Sequence, residues 1–236
     1  MADSIERKVP MSSPRVLVLV AALNEEEGIG KTLLELKKTL GNPALLVADG
    51  NSVDDTASIA RDMGAKIVFQ KGKGKGDAIA EAIAHVDADV DYVVLIDADF
   101  TYPADYLPDM LRLLEENPSV GMVGGNRFNG RLDLGEMHNL LYFGNRLLAF
   151  VHNMMNGVEL RDPLTGLRVV RWSILRDWKP KSKGFDVEVE LNHLVERRGY
   201  GIVEVPISYR PRLGEKKLKL RHGFTIMNRI LKESMS

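Results

Sequence analysis

Two aspartates, Asp97 and Asp99, close the run Val93-Val94-Leu95-Ile96. A strand of that composition is covered on both faces, and carboxylates do not stay inside such a core. Both acids are therefore expected where the strand ends, Asp99 as a surface group. Side chains at i and i+2 share one face roughly 6–7 Å apart, which suits holding a divalent cation against a diphosphate. Taken alone, Asp-X-Asp also fits a loop that happens to open with two acids. Two more acids follow apolar runs: Glu25 after Val16–Leu23 and Asp49 after Ala44–Ala48. Each can accept hydrogen bonds from a base edge or a ribose. Lys75 stands in the glycine-lysine alternation 71–76, whose glycines let backbone approach a ligand. A solvated hairpin tip is the other reading of that loop, and it is not a P-loop, since Gly-Lys-Ser/Thr is absent.

The elements that must position these groups follow from periodicity. Strands are expected at Val16–Ala22, Ala44–Ala48, Ile67–Phe69 and the run ending at Asp97, with helices from about Asn24 to Leu40, from the turn after Asp49 to Met63, and over Asp77–His85. Strand-helix alternation of this kind predicts a doubly wound, mostly parallel sheet in an α/β domain, with ligands at the carboxyl ends of the strands. Beyond Asp99 the pattern predicts a helix over Ala104–Glu116, a strand over Val120–Gly124, an unusually apolar helix over Leu134–Asn156 interrupted by Arg146, and a short segment Leu167–Arg171. A helix over Val187–Arg198 and a strand over Gly201–Pro206 complete the body. The tail is different: six basic residues against Glu215 between Tyr209 and Arg221, then Phe224, Ile226, Met227, Ile230 and Leu231 at near-helical spacing. That helix either packs on its own domain or lies in a membrane interface.

Several motifs together resemble the family 2 inverting glycosyltransferases of GT-A fold: Leu23-Asn24-Glu25-Glu26, Asp49-Gly50-Asn51-Ser52-Val53-Asp54-Asp55-Thr56, Gly74-Lys75-Gly76 and Asp97-Ala98-Asp99, in that order and spacing. Further along, Gly125-Asn126-Arg127-Phe128, Gly144-Asn145-Arg146-Leu147-Leu148, Arg161-Asp162-Pro163-Leu164-Thr165-Gly166-Leu167-Arg168, Gly184-Phe185-Asp186-Val187-Glu188-Val189-Glu190 and Arg212-Leu213-Gly214-Glu215-Lys216-Lys217-Leu218 resemble the dolichyl-phosphate hexose synthase branch. The resemblance implies a metal-dependent transfer of one hexose from a nucleotide-diphosphate sugar, GDP-mannose or a UDP-hexose, to dolichyl or another polyprenyl phosphate. It places Glu25 and Asp49 at the nucleoside, with Ala21, Leu23, Val47 and Ala98 beside them, and Lys75 as a further donor. Asp97 and Asp99 serve the diphosphate and a Mg2+ or Mn2+ ion, with Thr101 where the family's third polar ligand stands. Arg127, Arg146, Arg212 and Lys217 bind phosphates, and Asp162 orients sugar or acceptor, with general base as its weaker option. Departures from the pattern, Ala21 for Pro, Leu23 for Tyr and Thr101 for Gln, leave GDP-mannose and UDP-hexose both open. Transfer to a glycan hydroxyl is the rival acceptor chemistry, and it requires a general base.

Composition sets bounds around this. A chain of 236 residues, 44% hydrophobic, can bury one large core. With 32 basic and 33 acidic residues it has no global field to attract nucleic acid, so an anionic ligand must be met locally. The chain has no cysteine, which rules out thiolate chemistry. The five histidines show no metal-ligand spacing. Residues 1–14 are expected to be a disordered lead-in, 15–221 the catalytic domain and 222–236 the amphipathic helix. The longest apolar run is far shorter than the ~20 residues that span a bilayer, so the chain is expected to work in the cytoplasm, at most attached to the membrane surface.

Overall fold

The computed structural model describes residues 14–87, 89–128, 140–156 and 159–235. The lead-in expected at the N-terminus, all but its last residue, and the start of the apolar helix expected from Leu134 lie outside these. Among the described residues seven strands form one sheet in the order β3-β2-β1-β4-β6-β5-β7. They are β1 Val16–Ala22, β2 Ala44–Asp49, β3 Lys66–Phe69, β4 Tyr92–Asp97, β5 Val120–Asn126, β6 Arg168–Arg171 and β7 Gly201–Pro206. The expected doubly wound α/β domain is the one found. Pairing is parallel from β3 through β4 and again between β5 and β7, while β6 runs antiparallel to both neighbours.

The helices are α1 Glu26–Leu40, α2 Thr56–Asp62, α3 Lys75–Ile83, α4 Leu107–Glu116, α5 Leu140–Asn156, α6 Trp172–Leu175, α7 Val187–Arg197 and α8 Leu220–Ser234. Alternation along the strands divides the core. Val18, Val20, Val94 and Ile96 face α1 and α4 through Ile29, Leu33, Met110 and Leu114. Leu17, Leu19, Val93 and Leu95 face α3 and α7 through Ile79, Ile83, Val187 and Leu191. Side chains of a strand buried on both faces have no polar side, which is why these strands read as unbroken apolar runs.

Register brings the acids to one edge. Ala22 of β1 pairs with Asp49 of β2, and Ala21 pairs with Asp97 of β4, so strands on either side of β1 end together. The chain winds outward through β2 and β3 on one side of β1 and through β4 on the other, and such a switch point leaves a crevice at the strand ends.

The tail helix packs on the domain. Ile226 and Ile230 of α8 are buried with Leu148 of α5 and Val189 of α7. Phe224 and Leu231 of the same helix, and Met235 directly after it, remain exposed. Among the described residues no helix is long and apolar enough to cross a membrane.

Candidate active site

A cleft of about 670 Å³ opens at the switch point. Ala21, Leu23, Glu25, Lys75, Asp97, Ala98, Asp99, Arg127, Arg212 and Lys217, distant in sequence, all line it.

Two cationic side chains tie its acids together. Arg212, from the segment after β7, donates through Nη2 to Glu25 Oε1 and through Nη1 to Asp99 Oδ2. Lys217 Nζ reaches the Asn24 carbonyl at 3.0 Å. On the other side, Lys75 at the start of α3 places Nζ 2.7 Å from Asp97 Oδ1 and 2.6 Å from Glu188 Oε1. Burial alone would lower the Lys75 pKa, but Asp97 and Glu188 outweigh it and hold the ammonium above its usual value. Burial pushes the Glu25 carboxyl up to about 7, against the opposing pull of Arg212 and Lys217.

Asp99 departs from expectation. It is 4% exposed, not a surface acid, because the chain turns back under the cleft directly after it. Phe100 takes a left-handed φ of 65°, a strained conformation for a bulky residue, and Thr101 then donates to Asp99 Oδ1 from its amide at 3.1 Å and its hydroxyl at 2.6 Å. Arg210 holds the strained turn: its guanidinium lies 4.4 Å from the Phe100 ring centroid and grips both Glu35 oxygens, at 2.7 and 2.8 Å. Burial and the nearby Asp97 charge raise the Asp99 pKa, with the Thr101 hydrogen bonds and Arg212 opposing.

Thr101 is fully buried, its hydroxyl meets Asp99 Oδ1 and the Tyr209 hydroxyl, and it is not among the residues that line the cleft. Val47 is also displaced: it is fully buried in the core one turn of the pleat before Asp49, and its side chain serves packing. Asp49 lies beneath the cleft floor, where Gly50 and Gln70 form the lining. Its Oδ1 accepts the Ser52 amide at 2.7 Å, and Oδ2 has no partner among the described residues.

Asp162 and Arg127 belong to each other. Arg127 Nε and Nη2 donate to the two Asp162 oxygens at 2.6 and 2.7 Å, and the Arg127 amide adds a third bond at 3.1 Å. Asp162 is 2% exposed and is not among the residues that line the cleft. It holds Arg127 against the wall, where that guanidinium also lies 5.3 Å from the Tyr209 ring centroid. Arg146 is exposed on α5 and stacks over Phe128 at 5.5 Å, while its neighbour Asn145 faces the cleft. One residue along a helix is a 100° rotation, which separates the two.

Sequence reasoning passed over Glu188. It sits in the first turn of α7, 6% exposed, and lines the cleft. The signal was present as two acids, Glu188 and Glu190, inside an otherwise apolar stretch. The structure separates them: Glu190 accepts the amides of Lys181 and Ser182 and the Trp178 indole, and so holds a loop.

The donor set fits a divalent cation of the Mg2+ or Mn2+ type. Two carboxylates at one strand end offer hard oxygen ligands, and such ions are commonly held by one or two carboxylates plus substrate phosphates. Gly166 keeps the place open, since a Cβ there would collide with the Asp97 carboxylate. Among the described residues no group of three or more metal-ligating side chains forms a closed cage.

A model of glycosyl transferase family 2 matches residues 17–178. The chain is 36% identical over 203 residues to a dolichyl-phosphate hexose transferase of Haloferax volcanii, covering 85% of each. It is 35% identical over 198 residues to the glycosyltransferase AglJ of the same organism, covering 84% of this chain and 63% of that one. A dolichol-phosphate mannosyltransferase of Pyrococcus furiosus is 24% identical over 228 residues, with 90% of this chain and 64% of that one covered. The chain thus spans just under two thirds of the length of the last two. Glucosyl-3-phosphoglycerate synthase from Mycobacterium tuberculosis shares the fold, with a TM-score of 0.77 at 22% identity over 94% of this chain and 81% of that one. Another structure of that enzyme holds Mn2+, UDP and glucosyl-3-phosphoglycerate, at a TM-score of 0.74 and 23% identity over 94% of this chain and 81% of that one.

Proposed function

The chain belongs to glycosyl transferase family 2 and is a glycosyltransferase, and from that premise we propose that it moves one hexose from a nucleotide-diphosphate sugar to dolichyl or another polyprenyl phosphate. The observation that carries the reading is the pairing of Asp97 and Asp99 with Lys75 and Arg212 inside one cleft. Acids able to hold a cation stand beside bases able to hold phosphate oxygens. The named activities of the Haloferax and Pyrococcus relatives support the lipid phosphate acceptor.

In this reading Glu25 holds the nucleoside at the cleft, and Asp49, beneath its floor, fixes the turn that faces the nucleoside by accepting the Ser52 amide. Asp97 and Asp99 hold Mg2+ or Mn2+, which when bound offsets the charge that builds on the departing diphosphate. Arg212 and Lys217 exchange their present partners for phosphate oxygens, and Arg127, kept in place by Asp162, faces the second anion. An acceptor phosphate is already anionic near neutral pH, so its attack needs little general-base help. The cleft suits this: Glu25, Asp97, Asp99 and Glu188 are each paired with a cationic side chain, and Asp162 is committed to Arg127.

A lipid acceptor must be reached at a membrane, and the proposed working place is its cytoplasmic face. Leu147, Phe150 and Met154 form an exposed stripe on α5, and Phe224 and Leu231 of α8 with Met235 after it form another. The same helices bring Asn145 and His222 to the cleft. Apolar stripes flanked by the basic residues of 210–219 favour a lipid surface.

The test is a panel of radiolabelled GDP- and UDP-sugars incubated with polyprenyl phosphate or with the free polyprenol. Label in the organic phase from one donor, with the phosphate and not the alcohol, supports the reading. Equal labelling of the alcohol, or none of either, refutes it.

A further inference from the structure

We infer that Gln70 reads the nucleobase of the donor, its side-chain carbonyl accepting the ring N–H of uracil or guanine; this rests on the nucleotide-sugar reading of the cleft. Gln70 directly follows β3, is 8% exposed and lines the cleft. Its Oε1 is buried and has no hydrogen-bond partner among the described residues. A buried carbonyl oxygen without a donor is costly, and a ligand that brings an N–H removes the cost.

Position selects the part of the ligand that reaches this oxygen. The strand order β3-β2-β1-β4 leaves Gln70 three strands from Asp97, roughly 14 Å at the usual spacing between strands. The base is the part of a nucleotide farthest from its diphosphate. With the diphosphate at the end of β4 and the nucleoside over β1 and β2, the base arrives at the end of β3.

The side chain is also locked. Nε2 donates to the Gly50 carbonyl at 3.0 Å, and only the NH2 end of the amide can make that bond, so Oε1 is denied that place. The backbone around it is tied as well: the Gln70 amide donates to the Asp49 carbonyl at 3.0 Å, and Asn51 Nδ2 donates to the Gln70 carbonyl at 3.1 Å. A free glutamine turns its amide over to meet either a donor or an acceptor. Gln70 cannot do so without setting Oε1 against the Gly50 oxygen, so it demands a donor from the ligand. Uracil and guanine carry a proton on the ring nitrogen of their pairing edge, whereas cytosine and adenine present a lone pair there. The amide is fixed before the ligand arrives, which turns one hydrogen bond into a choice between bases.

Calorimetry in the presence of Mn2+ tests this with two pairs of nearly isosteric ligands, UDP against CDP and GDP against the diphosphate of 2,6-diaminopurine riboside. Within each pair the ring nitrogen changes from donor to acceptor while the shape is kept. In the pair that holds the tightest binder, the wild type should prefer the N–H member at least about tenfold, as expected when a buried acceptor loses its donor. In Gln70→Met, which keeps the bulk of the side chain and removes the carbonyl, the two members should bind within about twofold of each other. Ribose 5-diphosphate, which has no base, should bind that variant within about twofold of wild type. A wild type that binds both members alike overturns the inference without need of any variant and leaves the nucleotide reading standing. So does a Gln70→Met protein that keeps the preference, or that loses nucleotide and ribose 5-diphosphate affinity together. A wild type with the preference that does not label polyprenyl phosphate overturns the proposed acceptor and leaves Gln70 as the base reader. One that binds none of the four nucleotides overturns both.

Discussion

Arg127 and Asp162 form a two-pronged pair in which each guanidinium nitrogen meets its own carboxylate oxygen, at 2.6 and 2.7 Å. The Asp162 side chain is 1% exposed and that of Arg127 14%. Breaking a buried pair from one side leaves a charge uncompensated, at a cost of about 3–5 kcal/mol, whereas replacing both by apolar groups is often near neutral. Asp162→Asn should therefore lower unfolding free energy by several kcal/mol in urea, and the doubly apolar Arg127→Met/Asp162→Leu should recover most of it without recovering transfer. A single variant as stable as wild type would show that the pair does not hold the wall.

Asp99→Asn should fold, since burial already favours the neutral carboxyl, and should reduce transfer from labelled donor at least about 100-fold. Full turnover in that variant would remove Asp99 from the chemistry.

Glu25 gives the stability a pH dependence with a defined sign. Its carboxyl sits at about 7 in the folded chain against an ordinary 4.5. Between those values the folded state binds more protons than the unfolded state, so the group's contribution is complete below 4.5 and is lost as pH rises through 7. Glu25→Gln stays neutral throughout. Its Tm minus that of wild type should grow between pH 5 and pH 7 and level off above; a difference that shrinks over this range contradicts the assignment.

The exposed apolar stripes predict vesicle binding. Phe150→Ser and Phe224→Ser should each weaken sedimentation with vesicles of phosphatidylcholine and phosphatidylglycerol by about tenfold, the scale of one lost aromatic insertion. Binding that is unchanged in the double variant would assign those faces to something other than lipid.

The strands ending at Ala22, Asp49 and Asp97 were readable because a strand buried on both faces has no polar positions to break the run. The segment that forms β6 was located but neither its type nor its direction was readable, because its antiparallel pairing is set by β4 and β5. At the site, residue types were legible and partnerships were not. Asp162 and Arg127 are both polar in sequence, and only their 35-residue closure shows that they neutralise each other. Thr101 was picked out only by its place in the family pattern, and that the left-handed Phe100 turns its hydroxyl onto Asp99 is visible in the fold alone. Glu188 escaped notice because its meaning depends on Lys75, 113 residues away.

The central claim is that Asp97 and Asp99 hold a cation only together with a diphosphate. Mn2+ titration followed by electron paramagnetic resonance, with and without UDP or GDP, measures this directly. The account predicts weak Mn2+ binding to the protein alone, tight binding when the matching nucleoside diphosphate is present, and loss of that enhancement in Asp97→Asn and Asp99→Asn. Nucleotide binding indifferent to Mn2+, or an enhancement that survives both substitutions, would contradict it.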